Sequence, residues 1–115
     1  MSLTIYHNPR CSKSRQTLAL LREHGVEPVI VEYLKTPPDV TELRRLLGLL
    51  GMKPRELMRR KETPYKELNL ADDTLTDDAL IEAMVENPVL IERPIVVAEE
   101  TAVMGRPPEN ALSLI

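Results

Sequence analysis

A chain of 115 residues with a net charge of −3 and 43% hydrophobic residues is expected to form one domain, residues 1–115. The acidic balance argues against nucleic-acid binding, and no apolar run approaches the ~18 residues that a membrane-spanning helix needs. One cysteine and two histidines exclude an intramolecular disulfide and nearly exclude zinc. We therefore expect no bound metal or cofactor and, without a signal-peptide pattern at the start, a reducing cytoplasmic location.

The first third of the chain predicts a strand–helix–strand unit. Residues 3–7 alternate apolar and polar side chains as a short strand does, and residues 28–34 predict a second strand. Residues 11–24 between them predict a helix that stops before Gly25. The buried face of this helix is predicted at Ser14, Thr17, Leu18 and Leu21. A unit of this length predicts parallel strands with a right-handed crossover.

The middle of the chain, about residues 38–90, predicts a helical insertion. Helical signals occur in three segments, residues 40–51, 54–61 and 76–88. Asp39, with Glu42 three positions later, resembles a capping box for the first segment, and Thr76 is a cap for the third. Residues 64–73 look irregular or single-turn.

The last part of the chain predicts two strands and a short helix. The strands are expected over residues 93–98 and 102–105 with a turn at Glu99 and Glu100, and the helix over residues 107–115. The whole order is β-α-β, several helices, then β-β-α. This order is typical of an α/β fold with a thioredoxin-like (glutaredoxin-like) core and a helical insertion between strands 2 and 3.

Cys11 lies where the first predicted strand passes into the first predicted helix. A helix start carries partial positive charge and free N–H groups, and both stabilise a thiolate. Arg10, Lys13 and Arg15 surround this position, and His7 would add charge when protonated. Such settings lower a thiol pKa from ~8.5 to between ~3.5 and ~7.5. Because helix starts also bind anions, we predict a thiolate nucleophile that acts on an oxyanion such as arsenate or phosphate.

The motif at this junction, C-S-K-S, is a one-thiol version of C-x-x-C. Ser14, in the position of the second cysteine, can hydrogen-bond a thiolate but cannot resolve a disulfide. Any oxidised product at Cys11 must therefore be reduced by a thiol from another molecule.

Three arginines stand in settings that suit anion binding: Arg59, Arg93 and Arg106. Arg93 directly precedes Pro94 and the third predicted strand, a position that lies beside the active site in thioredoxin-like folds and often has a cis bond. The planar guanidinium group is well suited to two-point binding of an oxyanion.

The segments "YHNPRCSKSRQTL", "TPYKELNL", "ENPVLIERPIVV" and "GRPPE", in this order, resemble the glutaredoxin-coupled arsenate reductase family (ArsC-type) along almost the whole chain. The resemblance implies an arsenate reductase with glutathione and glutaredoxin as external reductants. The site residues that it implies are the nucleophile Cys11, the oxyanion-binding Arg59, Arg93 and Arg106, and the thiol-tuning His7 and Ser14.

The sequence departs from the best-known members of that family, whose loop has a C-G-[TS]-S pattern where this chain has C-S-K-S. Two alternatives stay open. Spx-type regulators share the fold and bind RNA polymerase, but they usually carry the second cysteine that is missing here. A monothiol oxidoreductase acting on glutathionylated proteins would need Cys11 but not Arg106.

Overall fold

The structure is a computed structural model that describes residues 2–115, and its chain divides into two compact units. The terminal unit joins the segment up to Thr36 with the segment Arg93–Ile115. The insert unit is Pro37–Glu92, which contains the predicted insertion. Within residues 2–115, none of the helices combines the length and the apolar character needed to cross a bilayer.

Four strands of the terminal unit form one sheet in the order β2-β1-β3-β4. Their bounds are β1 Leu3–Tyr6, β2 Val29–Val31, β3 Ile95–Ala98 and β4 Thr101–Met104. β1 pairs with β2 in parallel, as predicted, and with β3 in the antiparallel sense, so Ile5 lies between Ile30 and Val96. β4 continues the sheet antiparallel to β3 after a two-residue turn. The sheet thus pairs the first strand of the chain directly with the third, which follows the insert unit.

Helix α1, Ser12–Glu23, buries the face that the sequence predicts, with Ser14, Thr17, Leu18 and Leu21 all buried. The chain leaves the helix through Gly25, whose φ of 78° is costly for any residue with a Cβ atom. The core of the terminal unit is aliphatic and is built from Leu3, Ile5, Leu18, Leu21, Val96, Ala111 and Leu114. This core fixes α1, and with it Cys11, against the sheet.

The C-terminal segment is a 3-10 helix over Pro108–Leu114 rather than the α-helix that the predicted order implies. Pro107 and Pro108 stand at its start, where the missing N–H groups cost no helical hydrogen bond. The 3-10 helix still contacts α1 and β4, and it contributes Ala111 and Leu114 to the core.

Strand β2 is shorter than the predicted residues 28–34. The chain turns directly after it, because the Glu32 carbonyl accepts the N–H groups of Lys35 (2.9 Å) and Thr36 (3.0 Å). The turn buries Tyr33, which is 1% exposed. Burial of this aromatic ring outweighs the strand propensity of the sequence around it.

The insert unit is helical, with α2 Val40–Leu50, α3 Pro54–Leu57, α4 Thr63–Glu67, α5 Asp77–Glu86 and a 3-10 turn over Pro88–Leu90. Both predicted caps are confirmed. Asp39 Oδ1 accepts the Glu42 N–H at 2.8 Å, and Thr76 Oγ1 accepts the Ala79 N–H at 3.1 Å. Helices α2 and α3 both contact α5, and α4 provides the single turn expected within residues 64–73.

Helix α3 ends at Leu57, earlier than the sequence predicts. Met58 forms an isolated antiparallel bridge with Ile91, and the Arg59 N–H donates to the Leu90 carbonyl at 2.7 Å. Arg59 therefore lies on an extended segment and not at the end of a helix. Pairing with a distant part of the chain, which local periodicity does not reveal, replaces the second helical turn.

Gly105 lies at the end of β4, in close contact with Thr17 of α1 and with Pro94. A Cβ atom at this position would lie 2.7 Å from Pro94 Cγ and 2.7 Å from Thr17 Oγ1. The Gly105 N–H donates to the Pro94 carbonyl at 2.9 Å, and the Gly105 carbonyl accepts the Thr17 hydroxyl at 3.2 Å. We call this arrangement the Gly105 contact; it requires glycine because of space rather than backbone conformation.

We predict that Gly105→Ala lowers the free energy of unfolding by roughly 1–3 kcal/mol, the usual range for forcing an extra carbon into a packed site. Urea unfolding would measure the change. Gly48→Ala, on the exposed side of α2 with nothing within 4 Å of the added carbon, is the matched control. It should stabilise the protein by about 0.5–1 kcal/mol, because alanine favours a helix. Equal stability of Gly105→Ala and the unchanged protein would contradict the prediction.

Candidate active site

Cys11 is the N-cap residue of α1 and is 7% exposed. Its own backbone is extended, its carbonyl accepts the Arg15 N–H at 3.0 Å, and its N–H donates to the Asn8 carbonyl at 3.0 Å. The strand-to-helix junction predicted from the sequence is therefore present, with the sulfur at the end of the helix that carries free N–H groups.

The pKa of Cys11 is lowered, although the largest single effect opposes this. Burial raises the pKa because it removes water from the thiolate. The backbone N–H of Ser14, the positive charge of Arg93, the backbone N–H of Lys13 and the charge of Arg106 each lower it, and together they outweigh burial. The site thus favours the thiolate, which is the nucleophilic form of cysteine.

Arg93 and Arg106 converge on Cys11 from distant parts of the sequence. Arg106 Nη1 lies 4.0 Å from Cys11 Sγ and donates to the Arg93 carbonyl at 3.3 Å. Each arginine is followed by a proline through a cis peptide bond, Arg93–Pro94 and Arg106–Pro107. The structure therefore brings together three of the predicted site residues at one helix start.

The positive charge that lowers the pKa of Cys11 comes from distant arginines rather than from neighbours along the chain. Arg10, Lys13 and Arg15 are exposed, and Arg15 Nη1 donates to the Pro9 carbonyl at 2.9 Å. The charges that lower the pKa of Cys11 belong to Arg93 and Arg106, while Lys13 contributes through its backbone N–H. The expectation that neighbours along the chain supply this charge does not hold, because their side chains are exposed and water and salt screen exposed charges.

His7 and Ser14 form a buried pair beside the nucleophile. His7 Nδ1 lies 2.6 Å from Ser14 Oγ, which also accepts the Asn8 N–H at 3.0 Å. Burial lowers the pKa of His7, the nearby positive charges of Arg22 and Arg15 add to this, and Glu32 opposes it. The lowered pKa favours the neutral imidazole and so disfavours the protonated form that would add charge beside Cys11.

Ser14 acts on the sulfur through its backbone rather than its side chain. Its hydroxyl is engaged by His7 and Asn8, whereas its N–H is the strongest of the groups that lower the pKa of Cys11. A neutral His7 with an unprotonated Nδ1 can accept the Ser14 hydroxyl and so hold the first turn of α1. A thiol-tuning role of His7 and Ser14 stays a prediction, with this indirect route as its physical basis.

Arg59 lies in the insert unit, where it forms ion pairs with two acidic side chains. Its Nη1 lies 3.0 Å from Glu62 Oε2, and its Nε lies 3.8 Å from Glu92 Oε1. The pairs hold the guanidinium group in a defined position while leaving its side chain 24% exposed. Its predicted role in oxyanion binding stays a prediction.

Two residues that the sequence analysis did not assign to the site are part of its support. Thr17 and Gly105 join α1 to the segment that carries Arg106, through the Gly105 contact. The periodicity of α1 does place Thr17 on the buried face, and Gly105 directly precedes Arg106. Those were the available signals, but neither indicates that the two residues touch.

We predict that the pKa of Cys11 lies below the ordinary thiol value of ~8.5 and that Arg106→Gln raises it. The rate of alkylation by iodoacetamide against pH would measure both, since only the thiolate reacts. Arg10→Gln is the matched control, because it removes a charge next to Cys11 in the sequence and should change the midpoint little. A larger rise of the midpoint in Arg10→Gln than in Arg106→Gln would contradict the electrostatic account. A midpoint at ~8.5 in the unchanged protein would also contradict it.

Known proteins are similar to this chain along almost its whole length. The model of the ArsC family matches residues 6–114. The chain is 64% identical over 112 residues to YfgD of Escherichia coli K12, named an uncharacterized protein, covering 96% of this chain and 94% of that one. It is 46% identical over 115 residues to an arsenate reductase of Rhizobium meliloti, covering 100% of this chain and 82% of the relative.

A solved structure is also similar throughout. A protein described as an arsenate reductase from Vibrio cholerae superposes with a TM-score of 0.97 at 57% identity, covering 100% of this chain and 98% of the other. The thioredoxin-like fold predicted from the order of the elements is confirmed by these similarities. The extent of the match, from β1 through the C-terminal 3-10 helix, means that this chain belongs to the ArsC family.

Proposed function

We propose that this protein reduces arsenate to arsenite through the thiolate of Cys11, with glutathione and glutaredoxin as the external reductants. One observation carries the proposal: Cys11, at a helix start, has its pKa lowered by two backbone N–H groups and by the charges of Arg93 and Arg106. The names of the ArsC-family relatives support arsenate as the substrate.

Arsenate binding would use groups that already surround the sulfur. The helix start provides N–H groups and partial positive charge, and the guanidinium groups of Arg93 and Arg106 provide full charge and paired donors. Arg59 is the third arginine of the proposal, on the basis of the family resemblance. In this arrangement the arsenic atom lies within reach of Cys11 Sγ while its oxygens face cationic donors.

The first chemical step is attack of Cys11 Sγ on arsenic(V). An S–As bond forms, and an As–O bond breaks as its oxygen takes up protons and leaves as water. Arginine donors directed at the arsenate oxygens lower the barrier, because they are oriented before the charge shifts. The product is a cysteinyl–arsenate adduct in which no electron has yet been transferred.

The second step uses the thiolate of glutathione, which attacks Cys11 Sγ. A Cys11–glutathione disulfide forms, and the electron pair of the S–As bond passes to arsenic, which leaves as arsenite. Glutaredoxin then reduces the mixed disulfide by thiol–disulfide exchange and restores the Cys11 thiolate. An external reductant is needed on this route because the chain has one cysteine.

We predict that Cys11→Ser abolishes arsenate-dependent oxidation of NADPH in an assay coupled through glutathione, glutaredoxin and glutathione reductase. A serine hydroxyl stays protonated at neutral pH and is a poor nucleophile without a general base. Circular dichroism should show an unchanged fold, since the substitution replaces one atom at the N-cap, where serine is favoured. Turnover retained in the variant would mean that the chemistry takes place elsewhere.

We predict that Arg59→Lys, Arg93→Lys and Arg106→Lys each lower kcat/KM for arsenate by roughly ten-fold or more, because lysine keeps the charge but loses the planar pair of donors. Arg15→Lys, at an exposed position, is the control and should have little effect. Any reduction of a glutathionylated peptide by this protein would need Cys11 but not Arg106, so Arg106→Lys should leave that activity unchanged. If arsenate turnover were also insensitive to all three changes, the monothiol oxidoreductase would become the preferred function.

A further inference from the structure

Thr17 is fully buried in α1 and donates its hydroxyl group toward two carbonyl oxygens. Thr17 Oγ1 lies 2.8 Å from the Lys13 carbonyl, one turn earlier in the same helix, and 3.2 Å from the Gly105 carbonyl at the end of β4. The hydroxyl has one proton, so the two carbonyls share it. No step of the proposed reaction uses this group.

Each of the two carbonyls shares its peptide group with the nitrogen of a residue that acts on the sulfur. The Lys13 carbonyl shares its peptide group with the Ser14 N–H, which lowers the pKa of Cys11. The Gly105 carbonyl is half of the peptide group whose other half is the Arg106 nitrogen. Thr17 therefore connects the first turn of α1 with the peptide from which the Arg106 side chain begins.

The residue before Arg106 is held from two sides. The Gly105 N–H donates to the Pro94 carbonyl at 2.9 Å, while its carbonyl accepts the Thr17 hydroxyl. From this fixed start, the Arg106 guanidinium reaches the Arg93 carbonyl at 3.3 Å and lies 4.0 Å from Cys11 Sγ. A small rotation of the Gly105–Arg106 peptide would be amplified along the arginine side chain and would move its charge away from the sulfur.

We infer that Thr17 is a positioning residue for the nucleophile: its buried hydroxyl fixes the Gly105–Arg106 peptide and thereby holds the Arg106 guanidinium beside Cys11. The inference rests on the proposed role of Cys11 as the nucleophile. The inference means that Thr17, whose hydroxyl bonds two carbonyls rather than the sulfur, affects the reactivity of that sulfur.

A purely structural role for Thr17 makes different predictions. Threonine in a helix often donates its hydroxyl to the carbonyl four residues earlier and does nothing further. Thr36, at an exposed position in the turn after β2, makes the same kind of bond in the same unit, with Oγ1 3.3 Å from the Glu32 carbonyl. Removal of either hydroxyl would then affect stability only, and the reactivity of Cys11 would stay unchanged.

The test compares two pairs of variants that differ in the hydroxyl group: Thr17 against Thr17→Val, and Thr17→Ser against Thr17→Ala. Iodoacetamide alkylation of Cys11 is followed against pH in the full-length protein. In each pair, the member without the hydroxyl should react roughly two- to ten-fold more slowly at pH 7, with a higher midpoint pH. Thr36→Val is the control and should leave the profile unchanged. The second pair keeps the comparison available if Thr17→Val folds poorly.

A double-mutant cycle with Arg106→Gln separates positioning from general loosening of the site. If Thr17 acts through Arg106, Thr17→Val should slow alkylation little further in the Arg106→Gln protein. Fully additive effects would overturn the inference, and so would a Thr17→Ser protein as slow as Thr17→Ala. Alkylation involves no arsenate, so a wild-type protein without arsenate turnover would overturn the proposed function and leave this result standing.

Discussion

The Gly105 contact is the constraint on which the candidate site depends. Because Gly105 has no side chain, the end of β4 can lie directly against Thr17 and Pro94, closer than a Cβ atom would allow. Arg93 precedes Pro94 and Arg106 follows Gly105, so the two cationic side chains begin on either side of the same packed junction. A fold that kept the sheet and helix but opened this junction would lose the arrangement of charge around Cys11.

Two opposing effects act on the charged form of Cys11. Burial protects the sulfur from solvent but disfavours its charged form, while N–H groups and arginines restore that form. In the proposed reaction the same donors serve twice, first for the thiolate and then for the oxygens of the bound arsenate. Because they are held by the backbone and by packing, they need little reorganisation when negative charge moves from sulfur to the oxyanion.

Features that depend on short-range patterns of residues could be predicted from the sequence. The buried face of α1, the caps Asp39 and Thr76, and the parallel pairing of β1 with β2 all depend on spacing within a few residues or on a standard unit. The thioredoxin-like order of elements followed from these. The position of Cys11 at the helix start did as well.

Features set by contacts through space could not be predicted. The turn that buries Tyr33 shortens β2, and the bridge between Met58 and Ile91 shortens α3. Arg93 and Arg106 were placed at the site by resemblance to a family, and only the structure shows that their charges lower the pKa of Cys11. Burial lowers the pKa of His7, which its residue type alone does not reveal. In each case the deciding partner lies far along the chain or depends on exclusion of water, and neither appears in periodicity.

The order of the site residues along the chain has a consequence for biosynthesis. β1, which leads into Cys11, pairs with β3, and both guanidinium groups beside the sulfur belong to the segment Arg93–Ile115. A nascent chain that has not yet reached Arg93 carries the thiol without either charge. Those two contributions to the lowered pKa of Cys11 are therefore missing until the C-terminal segment has been synthesised. The full arrangement of charge around the sulfur is thus a property of the finished molecule, in which the first and last segments of the chain have come together.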